Sequence, residues 1–220
     1  MHKNVKNLIE IVNKVKLKVK KTEKTNHPTI IAVSKTFELE NIVPLIEHGH
    51  DHFGENKVQE AIDKWSNIKN LNKNLKLHMI GKLQTNKVKY VIPLFDYIHS
   101  LDNLKLANLL SKYETLFNKK RKYFIQVNVA NEKQKSGIDK NKLALFYKYC
   151  TEELNLKIIG LMCIPPNDGS ANVYFKSTME LNESLGLKEL SIGMSADFLT
   201  AIKYNSTFIR IGSAIFGERS

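Results

Sequence analysis

The feature that most constrains this chain is a regular alternation between two hydrophobic periods. Eight short runs recur along its 220 residues: TIIAVSK (29–35), HDHFGEN (50–56), LKLHMIG (75–81), YIHSLD (97–102), YFIQVNV (123–129), KIIGLMCI (157–164), ELSIGMS (189–195) and TFIRIGSAIFG (207–217). Several are almost continuously apolar, as strands buried on both faces are. Between them lie ELENIVPLIEHG, KVQEAIDKWSNI, QTNKVKYVIPLF, NLKLANLLSKYETLF, NKLALFYKYCTEEL, ANVYFKSTMELNESLG and SADFLTAIKYN, which read as helices. Ahead of the first strand, Val5, Leu8, Val12, Val15 and Val19 fall on one face of a leading helix. Gly49 and Gly186 sit where helices should stop. Strand, helix and strand in repetition require parallel neighbours joined by right-handed crossovers. Eight such units predict an α/β chain closed as a (β/α)8 TIM barrel with an extra N-terminal helix, one domain over residues 1–220. An open doubly wound sheet is the alternative, weakened because no GxGxxG turn follows the first strand.

Hydrophobic residues make up 42% of the chain, enough to bury a core. No apolar run approaches the length of a membrane span, and MHKNVKNLIE is too broken by lysine for a signal peptide. Cys150 and Cys163 form no CxxC pair and no zinc spacing, so they read as two reduced thiols in a cytoplasmic protein. The net charge of +12 raises nucleic acid as a partner. However, only Arg121, Arg210 and Arg219 among the 34 basic residues are arginine, and no dense basic tract appears. The lysine excess reads as compositional drift, and neither nucleic acid nor a membrane is expected as a partner.

Barrel chemistry collects at the carboxyl ends of the strands. Here those ends carry Lys35, Glu55, Asn56, Gly81, Asp102, Asn128, Ser195, Arg210, Gly212 and Ser213. The loops after strands seven and eight are the usual phosphate site of a barrel, and they hold Ser195, Gly212 and Ser213. Glycine lets backbone approach a ligand, serine supplies a hydroxyl, and amides at a helix start attract an anion. Equally, Ser195 could cap the following helix and Gly212 could relieve crowding. Arg210 shares a face of strand eight with Gly212 and needs an acceptor in the barrel mouth, either a barrel carboxylate or a ligand atom. Lys35 ends strand one, as a solvated lysine or as an amine able to form a Schiff base with an aldehyde. A phosphate site, a lysine and an arginine for a ring nitrogen are the fittings of pyridoxal 5′-phosphate. His78 and His99 lie inside strands and read as core histidines.

The segments AVSKT, FGENKVQE, HMIGKLQTNK, IHSLDNLKLA, QVNVANEKQKSG, IIGLMCI and LSIGMSADFLTAIKYNSTFIRIGSAIFGER resemble, in order and spacing, the YggS/PROSC family of pyridoxal-phosphate homeostasis proteins. The resemblance runs from about residue 29 to the C-terminus. It implies a fold type III barrel similar to the cofactor domain of alanine racemase. It implies that Lys35 carries the cofactor as an aldimine, that Ser195, Gly212 and Ser213 hold its phosphate, and that Arg210 meets the pyridine nitrogen. Asn56 resembles a pocket-lining residue. Met79 and Ile80 match neighbours of that pocket, or plain core. Lys135 matches a second family lysine. Lys57, Lys82, Met79 and Ser213 stand where the family often has Tyr, His, Phe and Thr.

The resemblance also carries an expectation for function. An arginine at the pyridine nitrogen favours an unprotonated ring, which is a weak electron sink. Nor does the strand-end inventory offer a convincing second base. The chain is therefore expected to bind pyridoxal phosphate in vitamin B6 homeostasis, without robust catalysis, as a monomer, with apo pyridoxal-phosphate enzymes as candidate acceptors. A weak amino-acid racemase or decarboxylase is the alternative.

Overall fold

The computed structural model describes residues 1–22, 27–130 and 136–218. The apolar runs form eight parallel strands: β1 (Thr29–Val33), β2 (His52–Glu55), β3 (Lys76–Met79), β4 (Tyr97–Leu101), β5 (Lys122–Gln126), β6 (Lys157–Met162), β7 (Glu189–Met194) and β8 (Phe208–Ile211). Each pairs with its sequence neighbour, and β1 pairs with β8, so the sheet closes into a barrel in chain order. The closing register sets Ile31 beside Arg210. This is the barrel that the alternation of periods predicts, and the open sheet is excluded.

The helices are α1 (Lys3–Lys21), α2 (Leu39–Glu47), α3 (Val58–Leu71), α4 (Val88–Leu94), α5 (Leu104–Phe117), α6 (Leu143–Lys148), α7 (Ala171–Ser184), α8 (Phe198–Ala201) and α9 (Ser213–Phe216). Gly49 and Gly186, just beyond α2 and α7, take φ of +92° and +66°, the left-handed turn that ends a helix without a Cβ penalty. The last apolar run divides in two. Only Phe208–Ile211 is strand, while Ser213–Phe216 is helical, because the chain turns at the barrel mouth. There Phe216 stacks on Phe37 at 4.9 Å.

Two packed regions hold the fold. The larger lies between barrel and helices, around Trp65, Phe53, Phe95, Phe175 and the apolar face of α1. The smaller fills the barrel with Ile31, Tyr97, Phe124, Met162 and Phe208. A set of polar side chains, His52, His78, His99, Ser191 and Arg210, runs through that interior. Among the described residues no helix is long and apolar enough to cross a membrane, and both cysteines are free.

Candidate functional site

The carboxyl ends of the strands surround a cavity of about 550 Å³. Lys35, Asn56, Ser195, Arg210, Gly212 and Ser213 all lie on its wall. Val33, Phe37, Ile80, Ile164 and Met194 supply apolar surface, and Glu218 stands on the rim. Gly81 and Asn128 line an adjoining recess of about 320 Å³. Asp102 lines neither and accepts from the side chain of Asn103. Met79 belongs to the outer core while Ile80 faces the cavity. Lys135 lies outside the described residues.

Lys35 lies two residues beyond the end of β1, and the backbone on both sides of it is held by α3. The Ser34 carbonyl accepts from Lys64 Nζ at 2.9 Å, and Ser34 Oγ donates to Glu55 Oε1 at 2.7 Å. The Thr36 N–H donates to Glu60 Oε1. Thr36 has φ of +68°, an outlier for a β-branched residue that persists only when its surroundings over-determine it. Lys64 joins the two carboxylates, at 3.1 Å from Glu55 Oε1 and 3.0 Å from Glu60 Oε1. Trp65 Nε1 adds a bond to Glu55 at 2.9 Å. Burial pushes the Glu55 carboxyl above its ordinary range, against the pull of Lys64 and the bonds from Trp65 and Ser34. Burial acts the same way on Glu60, but the bonds from Thr36 and Lys64 outweigh it and hold that carboxyl below. Sequence reasoning misses this clamp. Its one local signal is the spacing of Glu60 and Lys64 on one helix face.

On the opposite wall, Ser195 Oγ accepts from the backbone N–H groups of Gly212 at 3.2 Å and Ala214 at 3.3 Å. It ties the β7 and β8 loops together, while α8 begins at Phe198, after Asp197 as its N-cap, without a side-chain capping bond. The capping alternative for Ser195 therefore gives way to a cross-loop bond that leaves its hydroxyl hydrogen available. Crowding does not explain Gly212 either. A Cβ there would meet Val33 at 3.5 Å, ordinary contact, and its φ of −109° suits any residue. The surface left bare by the missing side chain is cavity wall. Gly81 is the reverse case, because a Cβ would fall 2.4 Å from the Asn56 carbonyl oxygen. Close approach of two strand ends demands glycine there.

Arg210 is buried in the floor of the cavity. Its Nη1 donates to Ser191 O at 2.7 Å and Ser191 Oγ at 2.6 Å, and its Nη2 donates to Cys163 O at 2.9 Å. No carboxylate among the described residues stands within ion-pair distance of it, so none of them supplies the barrel-carboxylate alternative. Burial lowers its pKa, opposed by Cys163 and Asp197. Nε–H and one Nη2–H remain for an acceptor in the cavity, since a guanidinium carries five donors.

The cavity thus joins a lysine and an arginine side chain, serine hydroxyls on one wall, and apolar surface between. The residues from 9 to 220 match the family model described as "Alanine racemase, N-terminal domain". The pyridoxal phosphate homeostasis protein of Aquifex aeolicus is 39% identical over 203 residues, 88% of each chain. That of Vibrio cholerae is 40% identical over 200 residues, 86% of this chain and 85% of its own. The chain belongs to the family of pyridoxal phosphate homeostasis proteins. Among solved structures, PipY of Synechococcus elongatus, with pyridoxal phosphate bound, superposes with a TM-score of 0.80. It is 31% identical, over 92% of this chain and all of that one. This is the family that the segments from AVSKT to the C-terminus resemble.

Proposed function

We propose that this chain binds pyridoxal 5′-phosphate in the barrel-mouth cavity and serves vitamin B6 homeostasis; its relatives are named for pyridoxal phosphate homeostasis. The observation that carries the reading is the convergence of Lys35, Arg210 and the Ser195–Gly212–Ser213 wall on one cavity of about 550 Å³. The donor set fits the group. Ser195 and Ser213 would receive the phosphate, and the missing side chain of Gly212 would leave room for it. The remaining Arg210 donors would face the ring nitrogen, and Asn56 and Ile80 would border the ring. When bound, pyridoxal phosphate supplies an aldehyde carbon that a deprotonated primary amine attacks. The clamp on Ser34 and Thr36 holds the backbone from which Lys35 offers that amine. All these groups come from one chain, so a monomer suffices. The two free cysteines suit a reducing cytoplasm.

The reading is tested by borohydride reduction of protein supplied with pyridoxal phosphate, followed by peptide mapping. The adduct is expected on Lys35, and Lys35→Ala should abolish the absorption band of covalent attachment. A label elsewhere rejects Lys35, and a preparation that stays colourless rejects the function.

We infer further that the chain holds and hands on the cofactor, to apo pyridoxal-phosphate enzymes, and does not turn over amino acids. A fully donating Arg210 disfavours a protonated ring, which is the form that stabilises a carbanion. One observation favours the racemase or decarboxylase alternative: the Glu218 carboxylate on the cavity rim is a candidate second acid or base. Exchange of amino-acid α-protons in deuterated buffer, lost in Glu218→Gln, would support that alternative.

A further inference from the structure

Through the barrel interior runs a line of hydrogen bonds that cofactor binding leaves unexplained. His52 Nδ1 and His78 Nε2 stand 2.8 Å apart, and His78 Nδ1 and His99 Nε2 stand 2.9 Å apart. His99 Nδ1 lies 2.9 Å from Ser191 Oγ, which accepts from Arg210 Nη1. The line starts at the floor of the barrel, where His52 Nε2 is 3.9 Å from Asp51 Oδ1. It ends on the arginine of the cavity.

We propose that His52, His78, His99 and Ser191 form one oriented column that positions Arg210, and that every member donates toward the floor. Its role in binding rests on Arg210 being the partner of the cofactor nitrogen, as proposed for the site. A guanidinium only donates. Ser191 Oγ therefore accepts from it, and the hydroxyl hydrogen is satisfied by pointing to His99 Nδ1. That makes His99 an Nε2–H imidazole donating to His78 Nδ1. His78 in turn is Nε2–H and donates to His52 Nδ1. His52 is then Nε2–H and faces the Asp51 carboxylate. The donor-only cation imposes this direction, and the Asp51 carboxylate, 3.9 Å away and too far for a direct hydrogen bond, lies on the side where the column ends in a donor. Neutral imidazoles are required throughout, and burial holds His78 and His99 far below the ordinary imidazole pKa. Stacking keeps the rings in place, His78 on Tyr97 and His99 on Phe124, each at 4.3 Å between centroids. The column occupies both Nη1 hydrogens together with the Ser191 carbonyl, and so decides which donors Arg210 turns to the cavity.

The decisive experiment is long-range ¹⁵N–¹H correlation of the ligand-free protein at neutral pH, which reads each histidine tautomer. Nε2–H on His52, His78 and His99 is the expected result. Nδ1–H on His78 or His99 overturns the direction. The function of the column is read from pyridoxal phosphate affinity. Ser191→Ala and His99→Phe should each weaken binding about tenfold, the scale of one hydrogen bond to a charged group. His99→Gln, which keeps one acceptor and one donor, should stay within about threefold of wild type. Equal affinity across all three variants overturns the positioning role. A protein that takes up no pyridoxal phosphate at all ends the binding proposal instead, and the tautomers still decide the column.

Discussion

Lys64 illustrates how much can rest on a residue that touches no ligand. It holds the Ser34 carbonyl, the fully buried Glu55 and the half-buried Glu60 at once. Lys64→Met would leave the Glu55 carboxylate uncompensated inside the fold, a defect that costs about 3 kcal/mol or more. Burial has already raised the Glu55 carboxyl. An acid whose folded pKa is raised loses stability as pH rises, because the native state must give up a proton it prefers to keep. The Lys64→Met defect should therefore be larger at pH 8 than at pH 5 by urea denaturation, and adding Glu55→Gln should recover part of it. A pH-independent defect would show that Glu55 is not the group left exposed by the change. Thr36 should also lose its left-handed backbone, slowing attachment at Lys35. In sequence this cluster is invisible as a unit, since Ser34, Glu55 and Lys64 belong to three different parts of the chain.

At the level of elements, the leading helix has a task beyond covering the barrel. Its Val5, Leu8, Ile11, Val15 and Val19 are buried, the expected Val12 packs half-buried beside them, and the polar side chain Asn7 Nδ2 donates to the Ile215 carbonyl at 2.8 Å. That carbonyl belongs to α9, which begins at Ser213 on the cavity wall. Asn7→Ala is expected to cost about 1 kcal/mol of stability and to weaken pyridoxal phosphate binding several-fold. Thermal melts and fluorescence titration measure the two separately. Unchanged affinity at reduced stability would show that α1 supports the barrel but not the site. Gly81 makes a sharper case. Gly81→Ala puts a methyl into the Asn56 backbone, so a loss of about 2 kcal/mol and a displaced Asn56 are expected. The amphipathic face of α1 is legible from its spacing of three and four. Its docking partner is not, because Asn7 and Ile215 are neighbours only after the barrel closes.

For the molecule as a whole, the buried histidines predict the response to acid. Burial is the main cause that holds His78 and His99 well below the ordinary imidazole value and lowers His50 to about 4. On unfolding each regains a pKa near 6.5. Below that pH the unfolded chain takes up protons that the native state refuses, so stability is full above it and falls as pH falls. The slope is about 1.4 kcal/mol per pH unit for each histidine, levelling off once pH passes the folded value. The melting temperature should drop between pH 7.5 and pH 5, and His50→Gln should flatten that drop by about one proton. A melting temperature constant across this range would contradict the neutral, buried state of these rings.

Hydrophobic periodicity marked the eight strands and their helices, because strands buried on two faces and helices buried on one leave different spacings in the chain, and closure of the sheet removed the open alternative. Strand-end chemistry and the family motifs also marked Lys35, Asn56, Ser195, Arg210, Gly212 and Ser213 before any coordinates. Closure of the sheet decided the rest. It brought Ser195 to the Gly212 and Ala214 amides, kept every carboxylate among the described residues out of ion-pair reach of Arg210, and aligned three histidines from three strands into one line. Such contacts join residues far apart in the chain, and hydrogen-bond direction depends on which donor stands at the end of a line. Neither property is written in the order of amino acids until the strands are side by side.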